Sequence, residues 1–281
     1  MLRQRIITAL VMLPIALGGF FLLDGLAFAL FIGAVITVAA WEWAQLAGLT
    51  QPVSRILYAA FVAGLLAALY LLSAAHPIDA PVALPAGLVM SLALCWWVLA
   101  TALVLRFPAS AKVLRKPQVA LALGLLVLIP AWQGLVLLKQ WPMGNWLILT
   151  VMVLVWAADI GAYFSGRALG KRKLAPEVSP GKSWEGFWGG LLLSLVLLSL
   201  LGLWRDWHLT QWLWAMVGGA LVVMASVIGD LTESMFKRQV GVKDSSQLLP
   251  GHGGFMDRVD SLTAAIPVFS VWLWLAGPVA W

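Results

Sequence analysis

Long apolar stretches separated by short polar segments make up most of the chain. Each stretch of about 20 residues is long enough to cross the ~30 Å hydrocarbon core of a bilayer as an α-helix. The pattern predicts about nine transmembrane helices, at residues 6–23, 26–47, 56–75, 82–105, 118–138, 145–166, 184–203, 211–235 and 259–279. No linker or internal repeat interrupts it. The predicted fold class is therefore an all-α, polytopic integral membrane bundle.

Composition supports this class, and the positions of the charges orient the bundle. The 281 residues are 62% hydrophobic, with a mean hydropathy of +0.96. If successive helices alternate in direction, every Lys and Arg except Lys139 and Arg205 falls on the side of the N-terminus. Cytoplasmic loops are enriched in Lys and Arg, so the N-terminus is predicted to be cytoplasmic. The net charge of +6 describes a basic membrane face suited to anionic lipids and phosphorylated solutes, not nucleic acid.

Polar residues are concentrated in the second half of the chain. We treat residues 1–281 as one integral membrane domain, with N-terminal helices over residues 1–143. Residues 144–281 hold C-terminal helices and the cytoplasmic loops that are expected to carry an active site. The most polar segment is residues 234–260, which is charged and rich in glycine. Because a charge at the centre of a membrane helix costs on the order of 3 kcal/mol, this concentration indicates a function.

Five acidic residues lie near the predicted cytoplasmic ends of three helices. They are Asp159, Asp230, Glu233, Asp257 and Asp260. Residues three apart share a helix face, so two pairs of these carboxylates point the same way. One interpretation is structural, with Asp159 paired to Arg167 and Glu233 paired to Lys237. The other is a site for a hard cation, since carboxylate oxygens suit Mg²⁺ or Mn²⁺.

Basic, glycine-rich segments stand beside these acids at residues 166–186 and 234–260. Glycine lets the backbone approach a ligand closely, and N–H groups at a helix start bind phosphate well. Ser183 is predicted near the N-cap of the seventh helix. His252 lies in a Pro-Gly-His-Gly-Gly turn. We interpret it as shaping the turn or donating a hydrogen bond to phosphate, in preference to a general base.

Residues 234–260 resemble the signature of the phosphatidate cytidylyltransferase family, also called CDP-diglyceride synthetases. The positions that match in type and spacing are Ser234, Lys237, Arg238, Lys243, Asp244, His252, Gly253, Gly254, Asp257, Arg258 and Asp260. Residues 159–171, 179–186 and 228–234 are also similar to that family. The family more often has Lys and Thr where this chain has Gly181 and Ser183, which leaves Lys182 as the expected phosphate contact. The resemblance covers about residues 155–262.

The resemblance implies a reaction in which CTP and phosphatidic acid give CDP-diacylglycerol and pyrophosphate, with Mg²⁺ required. The number of carboxylates also suits a second cation. Catalytic roles are assigned to Asp257, Asp260, Arg258, Lys243 and Asp244. Phosphate binding is assigned to Lys182, Ser183, Lys237, Arg238, His252, Gly253 and Gly254. Metal binding is assigned to Asp230, Asp257, Asp260 and Asp159. Membrane lipids are expected partners and a homodimer is suggested. The expected location is the cell (inner) membrane, with the site on the cytoplasmic face.

Two other functions are kept as alternatives. An ion-coupled transporter of an anionic solute would use the same acids as a proton or sodium relay. It is disfavoured because the acids gather at one membrane face and not at the midplane. A CTP-dependent lipid kinase would also need a cytidine nucleotide, a metal and a lipid acceptor. The products distinguish the three functions. A cytidylyltransferase gives CDP-lipid with pyrophosphate, a lipid kinase gives a phosphorylated lipid with CDP, and a transporter carries out no chemistry.

Overall fold

The computed structural model describes residues 2–74 and 84–277, and within them the chain is a bundle of helices. The helices are α1 (Leu2–Leu22), α2 (Gly25–Leu46), α3 (Pro52–Ala74), α4 (Leu84–Leu105), α5 (Ala111–Leu114), α6 (Pro117–Gln140), α7 (Gly144–Leu169), α8 (Trp184–Trp204), α9 (Leu209–Gln239) and α10 (Met256–Ala276). Two strands, β1 (Lys173–Ala175) and β2 (Ser179–Ser183), stand between α7 and α8.

The predicted fold class is confirmed, because a helix lies at each predicted span. In the described part of the chain, α2, α3, α4 and α6 to α10 are long and apolar enough to cross a membrane. Residues Leu10–Leu22 of α1 form a shorter apolar helix. The predicted span ends at residues 75, 82–83 and 278–279 lie outside the described residues.

Secondary structure differs from the prediction mainly around the polar segments. Residues 166–186 contain an antiparallel hairpin, in which Lys173 pairs with Ser183 and Ala175 with Ser179. Helix α9 continues four residues past the predicted end at residue 235, and α10 starts at Met256 and not at residue 259. The polar residues of α9 extend it because their side chains bond within the helix one turn apart, as Lys237 does to Glu233.

Close packing joins the end of α7 to the start of α8. A Cβ atom added to Gly161 on α7 would lie 2.7 Å from the carbonyl oxygen of Gly189 on α8. Only a residue without a side chain lets the two backbones approach this closely. This contact holds the end of α7, with Asp159, beside strand β2, with Lys182.

Helix α2 ties the first half of the chain to the helices that carry the acids. The indole of Trp43 is fully buried and donates from Nε1 to the carbonyl oxygen of Ala120 on α6 at 2.8 Å. Its ring centroid lies 4.7 Å from that of Phe236 on α9. The C-terminal turn of α2 therefore packs beside the end of α9, where Asp230 and Glu233 lie.

Candidate active site

An ion pair joins the hairpin to α9. The Nζ atom of Lys182, on β2, lies 2.5 Å from Oδ2 of Asp230, and each side chain is 27% exposed. The hydroxyl of Ser234 donates to Oδ1 of the same Asp230 at 3.2 Å. The pair is therefore accessible from outside the bundle and already balances one negative charge with one positive charge.

A second, more buried ion pair network joins α9 to α10. The ammonium of Lys237 lies 2.9 Å from Oε2 of Glu233 and 2.7 Å from Oδ1 of Asp257. The structural pairing expected between Glu233 and Lys237 is thereby confirmed. The one expected between Asp159 and Arg167 is wrong for the described chain, since Arg167 donates instead to the hydroxyl of Tyr163 at 3.1 Å.

The Asp257 carboxylate also organises the loop that precedes it. Its Oδ2 atom accepts from the Ser245 backbone N–H at 2.9 Å, the Ser245 hydroxyl at 2.9 Å and the Gly254 N–H at 2.7 Å. Asp257 lies in the first turn of α10, where the helix dipole favours an anion. With Lys237 on its other oxygen, Asp257 is the most highly coordinated acid among those predicted from the sequence.

The two glycines after His252 have no room for side chains. Gly253 has φ +84°, and a Cβ atom there would lie 2.6 Å from Oδ2 of Asp257. A Cβ atom on Gly254 would lie 2.5 Å from Oε1 of Glu42. The turn predicted at His252 is present, closed by its N–H donating to the Leu249 carbonyl at 2.9 Å. The glycines thus shape this loop, and their contact with phosphate stays a prediction.

The remaining predicted metal ligands lie beside the two ion pairs. Asp260 is within electrostatic reach of Asp230 and Glu233. Asp159 is within reach of Lys182, Asp230 and Arg258. Even so, no three His, Cys, Asp or Glu side chains among the described residues stand close enough to hold a metal ion by themselves.

Two predicted basic residues lie at the surface, outside the ion pairs described above. Lys243 and Arg258 are exposed, and neither forms an ion pair with any residue that the structure describes. Asp244 beside Lys243 is exposed as well. Their charges are therefore available to a ligand, whereas those of Lys182 and Lys237 are already paired.

Ser183 and Arg238 have structural partners. The predicted N-cap is confirmed, since the Ser183 hydroxyl accepts from the Gly186 N–H at 3.1 Å at the start of α8. The guanidinium of Arg238 donates to the carbonyl oxygens of Val178 at 3.2 Å and Val242 at 3.4 Å. These contacts fix the hairpin against the end of α9, and a role in phosphate binding stays a prediction for both residues.

Glu42 on α2 belongs to this cluster and was not predicted. It is fully buried, and its carboxylate accepts from the backbone N–H groups of Phe255 and Met256 at 3.0 and 2.6 Å. The available signal was a lone acid inside an otherwise apolar span, which marks a candidate functional residue in a membrane protein.

Two adjoining cavities open beside the ion pairs. A charged cavity of about 210 Å³ is lined by Asp159, Lys182 and Ser183 together with residues of α7, α8 and α9. An apolar groove of about 680 Å³ runs between α4, the hairpin, α8 and α9. Leu174, Phe187 and Val227 line both. A charged space and an apolar space therefore share walls at this end of the bundle.

Comparison with known proteins places these residues in a family. The model of the cytidylyltransferase family matches residues 3–276. A protein of Pseudomonas aeruginosa named phosphatidate cytidylyltransferase is 64% identical over 277 residues, covering 99% of this chain and 98% of the relative. A protein of Haemophilus influenzae with the same name is 46% identical over 288 residues, covering 96% and 98%. One of Staphylococcus epidermidis is 44% identical over 126 residues, covering 45% and 48%.

Proposed function

The chain belongs to the cytidylyltransferase family, and on that premise we propose that it is a phosphatidate cytidylyltransferase that makes CDP-diacylglycerol for phospholipid synthesis. The observation that carries the proposal is the charged cavity beside Lys182 and Asp159, which shares its walls with a larger apolar groove. Such a pair of spaces suits an amphiphile with a phosphate head and acyl tails. The substrates are CTP and phosphatidate, of which only the second is anchored in the bilayer.

The reaction is a substitution at phosphorus. A phosphate oxygen of phosphatidate attacks the α-phosphorus of CTP, a new P–O–P bond forms, and the bond to the β-phosphate breaks to release pyrophosphate. A phosphate monoester loses its second proton near pH 6, so this nucleophile needs no base from the protein. The protein's task is then to position two polyanions and to neutralise their charge. Lys243 and Arg258 suit that task because they are exposed and form no close ion pair within the described chain.

The carboxylates of the site fit Mg²⁺, because proteins usually bind this ion through one or two carboxylates together with substrate phosphates. Asp230 and Asp257 each hold a lysine ammonium, which stands where a cation would bind. When bound, the metal would neutralise the phosphates and polarise the phosphorus that is attacked. We assign it to Asp230 and Asp257, with Asp260 and Asp159 beside them, and the number of carboxylates also suits a second cation. Lys182 would then be released from Asp230 toward phosphate.

The position of the site fits the headgroup level of a membrane. Tyr163 lines the charged cavity and Trp188 lines the apolar groove, and these residues are 58% and 59% exposed. Exposed aromatic rings are typical of the membrane–water interface. The excess of Lys and Arg on this side supports a cytoplasmic active site, in the inner membrane of a bacterium with two membranes. The family resemblance also supports a homodimer.

Filling the apolar groove is expected to weaken binding of the lipid. Leu191 on α8 lines the groove, whereas its neighbour Leu192 does not and is 65% exposed. We expect Leu191→Trp to raise the KM for dioleoyl phosphatidate roughly ten-fold, because acyl chains lose apolar contact area. The KM for CTP and turnover of a dihexanoyl substrate should change little. Leu192→Trp is the matched control, and an equal loss in both variants would contradict an acyl-binding groove.

Removing the exposed Lys243 ammonium is expected to impair activity without destabilising the fold. One charge-assisted contact to phosphate contributes about 1.5–3 kcal/mol, so Lys243→Ala should lower kcat/KM for CTP roughly 10- to 100-fold. The melting temperature in detergent should stay the same, since Lys243 forms no ion pair in the described structure. Lys116→Ala, another exposed lysine, serves as the control. Joint loss of stability and activity would instead indicate a structural role.

The test of the proposed function is pyrophosphate release by purified protein in detergent with CTP, short-chain phosphatidate and Mg²⁺. Release that requires both substrates and stops with a chelator would establish the activity and its metal. Product analysis then distinguishes two outcomes. CDP-lipid with pyrophosphate indicates the cytidylyltransferase, whereas a newly phosphorylated lipid with CDP would indicate a lipid kinase. Folded protein that releases nothing with several lipids and divalent cations would favour the ion-coupled transporter.

A further inference from the structure

Glu42, on α2, lies far in sequence from every motif of the site. We infer that Glu42 is a positioning residue, whose carboxylate holds residues 245–256 so that Asp257 is correctly placed for the reaction. The inference rests on the proposed function for its effect on turnover, and on the contacts of Glu42 alone for its effect on the loop.

The contacts of Glu42 use most of its hydrogen-bonding capacity. Oε1 accepts from the Ser246 hydroxyl at 2.5 Å and from the Phe255 N–H at 3.0 Å. Oε2 accepts from the Met256 N–H at 2.6 Å, and the Ser245 hydroxyl, whose proton goes to the nearer Asp257, lies 3.2 Å from it. An ionised carboxylate has about four acceptor sites, of which three are occupied here, and bonds to a charged acceptor are stronger than neutral ones.

Two of these contacts fix the start of α10. Phe255 is the N-cap and Met256 the first residue of that helix. The first N–H groups of a helix have no partner within it, and the helix dipole favours an anion at this end. Glu42 supplies that anion from α2. Asp257 follows one residue later, so its position is set by where Glu42 holds the helix start.

Ser245 and Gly254 also link Glu42 to Asp257. The Ser245 hydroxyl donates its single proton to Oδ2 of Asp257, 2.9 Å away, and its oxygen also lies 3.2 Å from Oε2 of Glu42, so it stands between the two carboxylates. Gly254 lies between the same two groups. Its N–H donates to Asp257, and a Cβ atom added to it would lie 2.5 Å from Oε1 of Glu42. A shift of Glu42 would therefore move the donors that hold Asp257.

Neighbouring side chains give Glu42 a rigid base. On one side, the guanidinium of Arg55 on α3 lies 3.5 Å from the ring centroid of Trp41 and donates to the Trp41 carbonyl at 3.2 Å. On the other side, Trp43 bonds to α6 and packs on α9. Catalytic groups need support that holds them to within about 0.5 Å. Residues 41–43 provide it from the first half of the chain.

The main experiment measures Glu42→Gln in the full-length protein, for both turnover and amide hydrogen exchange. Gln keeps the shape of the Glu side chain. Its NH₂ group, however, is a donor and cannot accept hydrogen bonds from the N–H and O–H groups of the loop. We expect kcat to fall at least about ten-fold, with the KM for CTP and phosphatidate within about two-fold. Amide exchange in residues 245–256 should accelerate. Gln45→Ala, on the same helix, should leave both unchanged. An unchanged kcat, an effect on KM alone, or unchanged exchange would overturn the inference.

A milder variant guards against a loss of folding. Ser246→Ala removes one donor to Glu42 and should lower kcat about five-fold. In the double variant with Glu42→Gln, kcat should lie within about two-fold of the kcat of Glu42→Gln alone, because both changes break the same contact. Additive losses would overturn the inference. If the unmodified protein makes no CDP-lipid, the proposed function fails, while amide exchange still decides whether Glu42 holds the loop.

Discussion

Asp257→Asn is expected to lower CDP-diacylglycerol synthesis on the order of 10²–10³-fold or more, while the protein still folds. Losing one group that stabilises the transition-state charge typically has an effect of this size. An amide has one oxygen in place of two. Its NH₂ group would face either the Lys237 ammonium or the donors from Ser245 and Gly254. The variant therefore loses both the charge proposed to hold the metal and the order of the loop.

The measurement is the rate of CDP-lipid formation at saturating CTP and Mg²⁺, together with the melting temperature in detergent. Asp206→Asn is the matched control, because Asp206 is exposed at the opposite end of α8 from Lys182. Its φ of +50° is one that Asn adopts as readily as Asp. Full activity of Asp257→Asn would show that the Asp257 charge is not used in the reaction.

Local spacing was sufficient to predict much of this site. Glu233 and Lys237 stand four residues apart on one helix, so their ion pair follows from helical geometry alone. The Ser183 cap also follows from local rules, since Ser is favoured at the N-cap and its hydroxyl can accept from the third residue along. Span lengths likewise follow from the thickness of the bilayer.

Contacts between segments that are distant in the chain could not be predicted from the sequence. The bonds from Ser246 and Met256 to Glu42 cross more than 200 residues, and no local pattern specifies such a pairing. Lys182 contacts Asp230 because a short hairpin places β2 beside α9. The glycines and lysines of this segment predicted only a loop. The apolar groove needs α4, α8 and α9 together. Each feature depends on helix packing and not on the residues of one element.

The sequence analysis did not predict that several of the acidic and basic ligands form ion pairs with each other. Acids and lysines were assigned separately, to metal and to phosphate. The structure pairs them with each other, Lys182 with Asp230 and Lys237 with Asp257. A buried charge is costly unless it is compensated, and these lysines supply part of that compensation from within the protein. The proposed substrate and metal would have to displace these pairs, most readily at the more exposed Lys182.

Lys237→Met is expected to destabilise the protein by about 3–5 kcal/mol, the usual cost of removing one partner from a buried ion pair. The side chains of Glu233 and Asp257 are 1% and 6% exposed, so two carboxylates would lose their shared counter-charge. Met fills a similar volume, and the loss would therefore reflect charge and not a cavity. Thermal unfolding in detergent measures it, with Lys116→Met at an exposed site as the control.

A double variant separates the two roles that Lys237 can have. Adding Glu233→Gln removes one of the uncompensated charges, and replacing a buried ion pair by neutral groups is often close to neutral for stability. We therefore expect Lys237→Met with Glu233→Gln to recover much of the lost melting temperature. If activity returns with stability, Lys237 acts as a counter-charge for Glu233 and Asp257. If the double variant folds but stays inactive, the ammonium is needed by the reaction, as expected of a residue that binds substrate phosphate. An unaltered melting temperature in the single variant would contradict the buried ion pair itself.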